Sequence, residues 1–231
     1  MATLEELIYN VKNVFKGGVT SVDDDLSDDQ VAFWLATERG LLLKEDFEEN
    51  KALNNVLIQD LGCISVECVD KVECCNLGFD SETTIYRTVP TVPKPIIINW
   101  SGIHNTVLFT YIGLATHDSP FEFTSEAIAH WSRYKKYTKQ LPRSFYRHER
   151  IYITNIKNPS SLEIINIKGI FENPEDAKDF NKCTGEPCFT KQMSYPIASY
   201  SLSPLIERVL SKYLNINRFN PDKLNNAKDE K

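Results

Sequence analysis

The sequence predicts an α+β fold, in which an antiparallel β-sheet domain carries N-terminal amphipathic helices and a C-terminal helix. Apolar residues recur at helical spacing near both ends of the chain, whereas β-branched and aromatic segments separated by turn residues fill its middle. This order of helices, strands and helix differs from the alternation that builds a parallel sheet. With 231 residues, of which 42% are apolar, the chain can bury a substantial core. We expect one integrated domain with four regions: a helical region at 1–60, a mainly β region at 61–200, a helix at 201–215 and a polar tail at 216–231.

Two capping signatures predict where the N-terminal helices begin. Thr3 and Glu6 form a capping box, and the glycine pair 17–18 supplies a stop signal after one short helix. Ser27 and Gln30 form the second signature, which opens a longer helix. Both helices carry an apolar stripe that needs a partner surface. The stripes consist of Leu4, Leu7, Ile8, Val11, Val14 and Phe15 in the first helix, and of Val31, Trp34, Leu35, Glu38, Leu41 and Leu42 in the second.

Six segments in the middle of the chain have the composition of β-strands. They are 63–69, 83–88, 95–100, 106–112, 150–154 and 162–171. The last two flank the turn residues 158–161, which predicts an antiparallel hairpin. Residues 125–140 predict a short helix between strands. Ser203 as cap and Pro204 at the first helical position mark the start of the C-terminal helix.

The chain shows no membrane or secretion signal, which bears on the state of its cysteines. No apolar run approaches the roughly 18 to 20 residues needed to cross a bilayer, and the N-terminal segment has the pattern of an amphipathic helix instead of a signal peptide. We therefore expect a cytoplasmic environment in which the cysteines are reduced thiols. The alternative is a zinc site, but the C-x2-C knuckles of zinc ribbons are missing, and Cys63 and Cys68 would face opposite sides of one strand. Ordinary packing or loop thiols are the favoured interpretation, and no metal or other cofactor is predicted. The six cysteines are Cys63, Cys68, Cys74, Cys75, Cys183 and Cys188.

The sequence contains no residue pattern that indicates catalysis. None of the four histidines lies in a nucleophile elbow, a zinc-protease motif or a papain-like cysteine context. His117 and Asp118 are adjacent, which allows a base with an orienting carboxylate, but neighbouring residues on a loop meet this condition by chance. The glycines form neither a P-loop nor a dinucleotide-binding fingerprint. The sequence therefore predicts that the protein is not an enzyme.

The clearest local bias is a basic segment in an acidic chain. Residues 131–150 carry seven arginines and lysines and a single acid, Glu149, whereas the net charge of the chain is −6. One interpretation is contact with phosphates and bases; the other is a subunit interface, since Tyr, Trp and Arg anchor protein interfaces. We favour the interface, in which this segment meets an acidic stretch of another copy head to tail. The candidate interface or DNA-facing residues are Trp131, Arg133, Lys135, Lys136, Lys139, Arg143, Arg147 and Arg150. The interleaved aromatic residues are Trp131, Tyr134, Tyr137, Phe145 and Tyr146, and the candidate acidic interface residues are Asp23, Asp24, Asp25, Asp28 and Asp29.

Five strings within the chain carry a resemblance to a known family. They are DDQVAFWLATERGLLLKEDFEENKALNNVLIQDLGCISVECVDKVECC, PFEFTSEAIAHWSRYKKYTKQLPRSFYRHERIYITN, GIFENPEDA, CTGEPC and YPIASYSLSPLIERVLSKYL. They resemble structural proteins of crAss-like phages that infect gut Bacteroidales. The similarity covers most of residues 20–215, and none of the strings is a catalytic motif.

This resemblance implies a head-to-tail connector or ring protein in the neck of the virion. The protein would form a homo-oligomeric ring, expected to be a dodecamer that matches the portal above it, and phage DNA would pass through the lumen of the ring. The implied partners are the portal protein and other ring, muzzle or tail proteins, with no membrane contact, and assembly would take place in the host bacterial cytoplasm. The alternative is a phage-encoded nucleic-acid-binding regulatory protein that uses the basic segment. A small zinc-dependent enzyme is the third hypothesis.

Overall fold

The computed structural model describes residues 2–17, 26–50, 54–79, 84–100, 104–116, 120–132, 134–156 and 162–214, with the backbone alone at residues 50, 99, 100 and 104–106. The helices are α1 (Leu4–Phe15), α2 (Asp28–Asn50), α3 (Lys71–Asn76), α4 (Glu126–Ser132) and α5 (Leu202–Tyr213). Short 3-10 helices cover Asn55–Leu57, Pro174–Asp179 and Ser199–Ser201. The strands are β1 (Gln59–Cys68), β2 (Tyr86–Thr88), β3 (Ile97–Trp100), β4 (His104–Val107), β5 (Phe109–Leu114), β6 (Glu122–Phe123), β7 (Arg143–Arg147), β8 (Arg150–Thr154) and β9 (Ile164–Gly169). The predicted polar tail at 216–231 lies outside the described residues.

Seven of the described strands form one sheet in the order β5-β9-β1-β2-β8-β7-β6, and β3 pairs separately with β4. Neighbouring strands are antiparallel except for β6 and β7, which are parallel. The two outer strands also approach each other. Gly113 forms a β-bridge with Pro120, and the backbone N–H of Phe121 donates to the Ile112 carbonyl oxygen at 2.7 Å. The sheet therefore nearly closes into a barrel. The predicted combination of helices and a sheet is confirmed, but the sheet is mixed and not purely antiparallel.

β8 and β9 do not form the antiparallel hairpin that the sequence predicts. β1 and β2 lie between them, because β8 pairs with β2 and β7 while β9 pairs with β1 and β5. β9 is covered on both faces, since the adjacent residues Ile165 and Asn166 are both buried. β8 instead turns back on β7 through His148 and Glu149, whose φ angles are 49° and 58°. The prediction is wrong because turn-forming residues change the direction of the chain without choosing the neighbouring strand. The turn residues themselves, 158–161, lie outside the described residues.

Both predicted caps of the N-terminal helices are confirmed. The Glu6 N–H donates to Thr3 Oγ1 at 3.2 Å, and the Thr3 N–H donates to a Glu6 carboxylate oxygen at 3.0 Å. α1 ends shortly before Gly17, which has a φ of 62°. The Gln30 N–H donates to Ser27 Oγ at 3.1 Å, and α2 begins at the residue after that serine. These signals act through hydrogen bonds between residues three apart, which is why the sequence alone locates them.

α5 packs against α2 and begins slightly earlier than the sequence predicts. Its first residue is Leu202, so Ser203 lies inside the helix instead of capping it. Pro204 still falls in the first turn, where its missing N–H leaves no intrahelical bond unmade. The rings of Trp34 on α2 and Tyr213 on α5 stack with their centroids 4.9 Å apart. Buried residues of α1, α2, α5 and the large sheet belong to one apolar cluster.

Ionic contacts reinforce the packing of α2 against α5. Glu38 is 2% exposed and accepts hydrogen bonds from Lys212 Nζ at 2.7 Å and from the Tyr213 hydroxyl at 2.9 Å. Arg208 donates to both carboxylate oxygens of Glu45, at 3.1 and 2.5 Å. The hydrogen bonds from Arg208 hold the pKa of the Glu45 carboxyl below its ordinary value. The contacts of Glu38 stabilise the packing more than those of Glu45, because the Glu38 carboxylate is withdrawn from water.

Arg39 is a buried cation that ties α2 to two distant loops. Its side chain has no exposed surface, its Nε donates to the Pro196 carbonyl oxygen, and its Nη1 donates to the Phe171 carbonyl oxygen, each at 2.8 Å. The guanidinium carbon also lies 5.8 Å from the ring centroid of Tyr195. Burial lowers the pKa of Arg39 to about 10, so the side chain is still charged at neutral pH. The two loops therefore depend on charged donors that reach them from the helix.

Replacing Arg39 by Met should lower the free energy of unfolding by about 3 kcal/mol, because two buried carbonyl oxygens lose their charged donors. Urea denaturation followed by circular dichroism measures the change. The matched control is Arg208→Met, which removes an exposed ion pair and should cost less than about 1 kcal/mol. Equal losses in the two variants would contradict the structural role of Arg39.

The structure joins Cys63 on β1 to Cys183 in a disulfide. These residues are 120 positions apart in sequence, and their Cα atoms lie 4.9 Å apart. The expectation that all six cysteines are reduced thiols is therefore wrong for this pair. β1 bulges just before Cys63, at Gly62, which has a φ of 69°, and any side chain there would collide with the Asn181 backbone. The fold thus presses a distant loop against the bulge, a proximity that cysteine spacing cannot reveal. The four cysteines outside this disulfide are Cys68, Cys74, Cys75 and Cys188.

The same bulge is held from within the sheet by a buried amide on β9. Asn166 Nδ2 donates to Asp60 Oδ1 at 2.7 Å and to the Gly62 carbonyl oxygen at 3.0 Å. The Gly62 N–H in turn donates to Asp60 Oδ1 at 2.8 Å. The irregular stretch of β1 therefore keeps its polar groups hydrogen-bonded despite the interrupted ladder.

Denatured protein that is alkylated without reduction should take up four labels per chain, and six after reduction, because one pair of cysteines forms a disulfide and four cysteines do not. Intact-mass spectrometry counts the labels. The double variant Cys63→Ser/Cys183→Ser should take up four labels under both conditions. Its free energy of unfolding should fall by up to about 5 kcal/mol, the loop-entropy limit for a cross-link over so long a segment. Six labels on unreduced wild-type protein would contradict the pairing.

Candidate functional site

α4 and the turn that follows it present a row of exposed aromatic and lysine side chains. Trp131 is 70% exposed and Tyr137 is 87% exposed. The Lys136 ammonium lies 5.6 Å from the ring centroid of Tyr137, within the range of a cation–π contact. Grouped exposed apolar side chains mark interaction sites in soluble proteins. We call this group the aromatic-lysine surface; its members are Ile128, Trp131, Tyr134, Lys135, Lys136, Tyr137, Lys139 and Leu141.

A buried layer beneath α4 supports the aromatic-lysine surface. Ala129 belongs to an apolar cluster with Phe79 and Phe145. The His130 ring stacks on Phe79 with centroids 3.8 Å apart, and its Nε2 donates to the Leu77 carbonyl oxygen at 2.8 Å. α4 is therefore fixed on one side, while its other side carries the exposed residues.

The turn after α4 is held by hydrogen bonds of its own. The Lys139 N–H donates to the Lys135 carbonyl oxygen, and the Leu141 N–H donates to the Thr138 carbonyl oxygen, each at 3.1 Å. Asn155, which follows β8, donates from Nδ2 to the Leu141 carbonyl oxygen at 3.4 Å. The lysines therefore project from an ordered turn, and they lose less conformational entropy on binding than they would in an unstructured segment.

The predicted helix over 125–140 is correct only for its first half. α4 ends at Ser132, and turns cover residues 134–140. Ser132 is buried and its Oγ donates to the Ala129 carbonyl oxygen at 2.7 Å. This side-chain bond competes with the backbone pattern of a helix, a common property of serine near helix ends.

The three arginines at 143, 147 and 150, which the sequence assigns to a surface patch, are engaged within the chain. Arg143 is 4% exposed and binds Glu122 at 2.9 Å. Arg147 forms a salt bridge with Glu126 in the first turn of α4. Arg150 Nη1 donates to two carbonyl oxygens at the end of β2, each at 2.8 Å. Arg143 is therefore not a surface residue, and the other two arginines position neighbouring elements.

Two of the predicted aromatic residues also lie away from the surface. Phe145 is fully buried, and Tyr146 is half-buried, which raises the pKa of its hydroxyl to about 12. Arg133 lies outside the described residues. The predicted residues that remain exposed are Trp131, Lys135, Lys136 and Lys139. Their function as subunit-interface or DNA-facing residues stays a prediction.

The candidate acidic interface is only partly within the described residues. Asp23, Asp24 and Asp25 lie outside them. Asp28 forms a salt bridge with Lys12, and Asp29 binds Lys191 at 3.2 Å. Both described aspartates therefore already have a cation of the same chain beside them. A contact between these aspartates and another copy stays a prediction.

A second exposed apolar area lies on α2 and was missed in the sequence. Phe33 is 67% exposed and Leu41 is 40% exposed, although the sequence places Leu41 on the buried stripe. Both side chains line a shallow groove, whose lining also includes Gly40, Lys44 and Glu172. The signal was hidden because apolar residues occur around the whole circumference of α2, so periodicity does not separate its buried face from its exposed one.

The described parts of the chain offer neither a cluster of metal ligands nor a membrane-spanning helix. There, His, Cys, Asp and Glu side chains do not gather in groups of three or more that could hold a metal ion. No described helix combines the length and the apolar character needed to cross a membrane. Of the histidines, His130 lies on the inner side of α4 and His148 lies in the turn between β7 and β8.

An exposed aromatic surface on an ordered support is typical of a protein that docks on other macromolecules. The sequence model of the family described as phage tail ring protein 2, a ring family of crAss-like phages, matches residues 6–231. The chain therefore belongs to this family of structural ring proteins of the phage virion, and the resemblance noted in its sequence is confirmed. No curated protein matches the chain.

Replacing Arg150 by Gln should lower the free energy of unfolding by about 2 kcal/mol, because two carbonyl oxygens at the end of β2 lose a charged donor. The matched variant Lys136→Gln, at an exposed position, should stay within about 0.5 kcal/mol of wild type. Urea denaturation of the two variants tests the division of the basic segment into a structural half and a surface half. A larger loss for Lys136→Gln would contradict it.

Proposed function

We propose that this chain is a structural subunit of the virion head-to-tail connector, where copies form a ring below the portal. The ring is expected to be a dodecamer, with phage DNA passing through its lumen, and it acts through contacts without catalytic turnover. The observation that carries the proposal is the aromatic-lysine surface, borne by a chain that belongs to a ring protein family. The proposed place is the neck of the virion, after assembly in the host bacterial cytoplasm.

The exposed aromatic side chains are suited to a contact between subunits. A Trp or Tyr side chain can bury about 150 to 250 Å². Trp131 and Tyr137 together could then supply a large part of the roughly 800 Å² that each partner buries in a standard interface. Because their support is ordered, little further conformational entropy is lost when a neighbour covers them.

The second exposed area suits the other partners of a connector subunit. A ring subunit contacts its neighbours within the ring and also the proteins above and below it, which here are the portal and further ring, muzzle or tail proteins. The groove beside Phe33 and Leu41 lies on α2, away from α4 in the sequence. Two separate apolar areas on one subunit therefore support a position between layers of an assembly.

The charge of the chain supports transient passage of DNA instead of its retention. Binding to phosphates gains free energy from the release of counterions, which requires a basic surface. A chain with a net charge of −6 lacks such a surface overall. A ring of acidic subunits would let DNA slide through its lumen.

The alternative function is that of a phage-encoded nucleic-acid-binding regulatory protein. The alternation of Trp131, Tyr134 and Tyr137 with lysines favours it, because aromatic stacking and phosphate contact together bind single strands. Three lysines on phosphates would give a slope of log affinity against log salt of about −2 to −3. Fluorescence anisotropy with a labelled single strand at several salt concentrations measures this slope. Binding that disappears in Lys135→Ala/Lys136→Ala/Lys139→Ala would favour the alternative.

The double variant Trp131→Ala/Tyr137→Ala should weaken ring assembly at least tenfold, because truncating a central aromatic anchor costs about 2 kcal/mol or more. Sedimentation velocity and electron microscopy of the chain mixed with portal protein measure assembly. The matched control is Tyr9→Ala, which truncates a tyrosine on α1 that is 58% exposed. The control should assemble like wild type, and both variants should keep the wild-type melting temperature.

Cryo-electron microscopy of intact virions provides the independent test of the proposed place. The polypeptide should lie in the neck, between portal and tail. Its absence from purified particles, or a position elsewhere in the virion, would refute the connector function.

A further inference from the structure

A cleft at the far end of the β7–β8 hairpin combines apolar walls with acidic side chains. Its walls come from the proline-rich segment before β3, from the turn between β7 and β8, and from the 3-10 helix Pro174–Asp179 with the residue after it. We call this feature the acidic cleft; the residues that matter here are Pro90, Pro93, Glu149, Asp176, Asp179 and Phe180.

The negative charge of the acidic cleft is only partly offset within the described chain. None of its carboxylates at Glu149, Asp176 and Asp179 forms an ion pair with a described cation. Lys94 at the rim binds Glu172 at 2.9 Å instead, and Lys178 acts on Asp176 through its charge without forming an ion pair with it. Burial raises the pKa of Asp176; the hydrogen bond from Asn173 and the charge of Lys178 lower it in part, and the charges of Asp179 and Glu149 raise it. A cation from outside the chain would therefore relieve mutual repulsion in the cleft.

The lysines of the aromatic-lysine surface are the complementary case. Among the described residues, Lys135, Lys136 and Lys139 have no carboxylate within ion-pair distance, and all three are exposed. Arginines and lysines elsewhere in the chain are commonly paired, as Arg147 and Arg150 illustrate. One surface thus carries three lysines without ion pairs beside exposed aromatic rings. The other carries three carboxylates without ion pairs beside proline and phenylalanine side chains.

The hairpin separates these two surfaces within one copy. The turn of the aromatic-lysine surface precedes β7, which begins at Arg143. Glu149 of the acidic cleft follows the other end of β7, which is Arg147. A strand of five residues spans roughly 17 Å at about 3.4 Å per residue. The lysines of one chain therefore sit at the opposite end of the hairpin from its own cleft. The lysines that could reach this cleft are therefore those of a second copy.

We propose that the aromatic-lysine surface of one copy docks into the acidic cleft of the next copy. The inference rests on the proposed ring function and names the contact that joins its subunits. Lysine ammonium groups meet the carboxylates of Glu149, Asp176 and Asp179, and the ring of Tyr137 packs against Pro90 and Pro93. Because two different surfaces of the chain meet, the contact is heterologous, and its repetition around an axis closes a ring.

The observations favour a second copy over nucleic acid as the occupant. A phosphate backbone would satisfy the lysines but would leave the acidic cleft without a partner and would be repelled by it. A second copy satisfies both surfaces at once, with the same number of charges on each side. The docked residues would also exclude water from their ion pairs, which strengthens them relative to exposed pairs.

Two charge-reversal variants test this contact. The turn variant is Lys136→Glu/Lys139→Glu, and the cleft variant is Glu149→Lys/Asp179→Lys. Asp176 is left unchanged because its carboxylate accepts a hydrogen bond from Asn173 at 2.7 Å at the start of the 3-10 helix. Each variant alone should assemble with portal at least tenfold more weakly than wild type. Circular dichroism should show unchanged melting for both.

An equimolar mixture of the two variants should recover assembly. Within the mixture, the reversed turn meets the reversed cleft, and the unchanged turn of the cleft variant meets the unchanged cleft of the turn variant. Both contacts between unlike copies are therefore attractive, and rings with alternating copies result, which native mass spectrometry recognises by their composition. A single chain that carries all four substitutions should also assemble. The matched control is Lys71→Glu, on exposed α3, which should assemble like wild type.

The outcomes separate this inference from the function on which it rests. If wild type forms rings but the mixture stays as weak as each variant alone, the proposed contact is wrong and the ring function stands. The contact is also wrong if the turn variant assembles normally, including the case in which it loses only binding to a single-stranded oligonucleotide. If wild type forms no ring with portal and is missing from virions, the ring function fails and the contact fails with it.

Discussion

The pairing of β1 with its two neighbours is the constraint on which the rest of the structure depends. β1 lies between β9 and β2, and its pairing with β9 joins Cys63 to Asn166, far along the chain. At its bulge it carries the buried hydrogen bonds of Asn166 and the disulfide to Cys183. Contacts of such long range cost more loop-closure entropy than local ones and bind the sheet into one cooperative unit. The hairpin β7–β8 is positioned through β2, and the two candidate contact surfaces at its ends are positioned with it.

Local features of the fold could be predicted from the sequence, whereas long-range ones could not. The caps at Thr3 and Ser27 and the limits of β8 depend on residues close together in the chain, and these predictions are confirmed. The prediction of a β8–β9 hairpin is wrong because the pairing partner of a strand cannot be deduced from a short stretch of sequence. The pair Cys63 and Cys183 was missed for the same reason, since only the fold brings β1 and the later loop together.

The candidate site shows the same limit on a smaller scale. Composition identified a basic and aromatic segment, but it could not separate residues that support the site from residues that form it. The structure divides the segment where α4 and its turn give way to β7. Before that point Trp131 and Tyr137 are exposed, and after it Arg143 and Phe145 are buried. An arginine side chain can bind groups of a neighbouring element or remain available to another molecule. Only the positions of nearby carboxylates and carbonyl groups distinguish these two roles.

The near-closure of the large sheet limits the ways in which copies of this chain can associate. An open sheet edge offers a row of free backbone groups to any other chain, which invites strand addition, exchange of strands between subunits and fibrous aggregates. Here the bridge between Gly113 and Pro120 brings the two outer strands together, so the large sheet leaves little of its edge accessible to another chain. Contacts between copies would then be made by side chains and not by added strands. Exchange of strands between copies is thereby disfavoured wherever the chain is present at high local concentration.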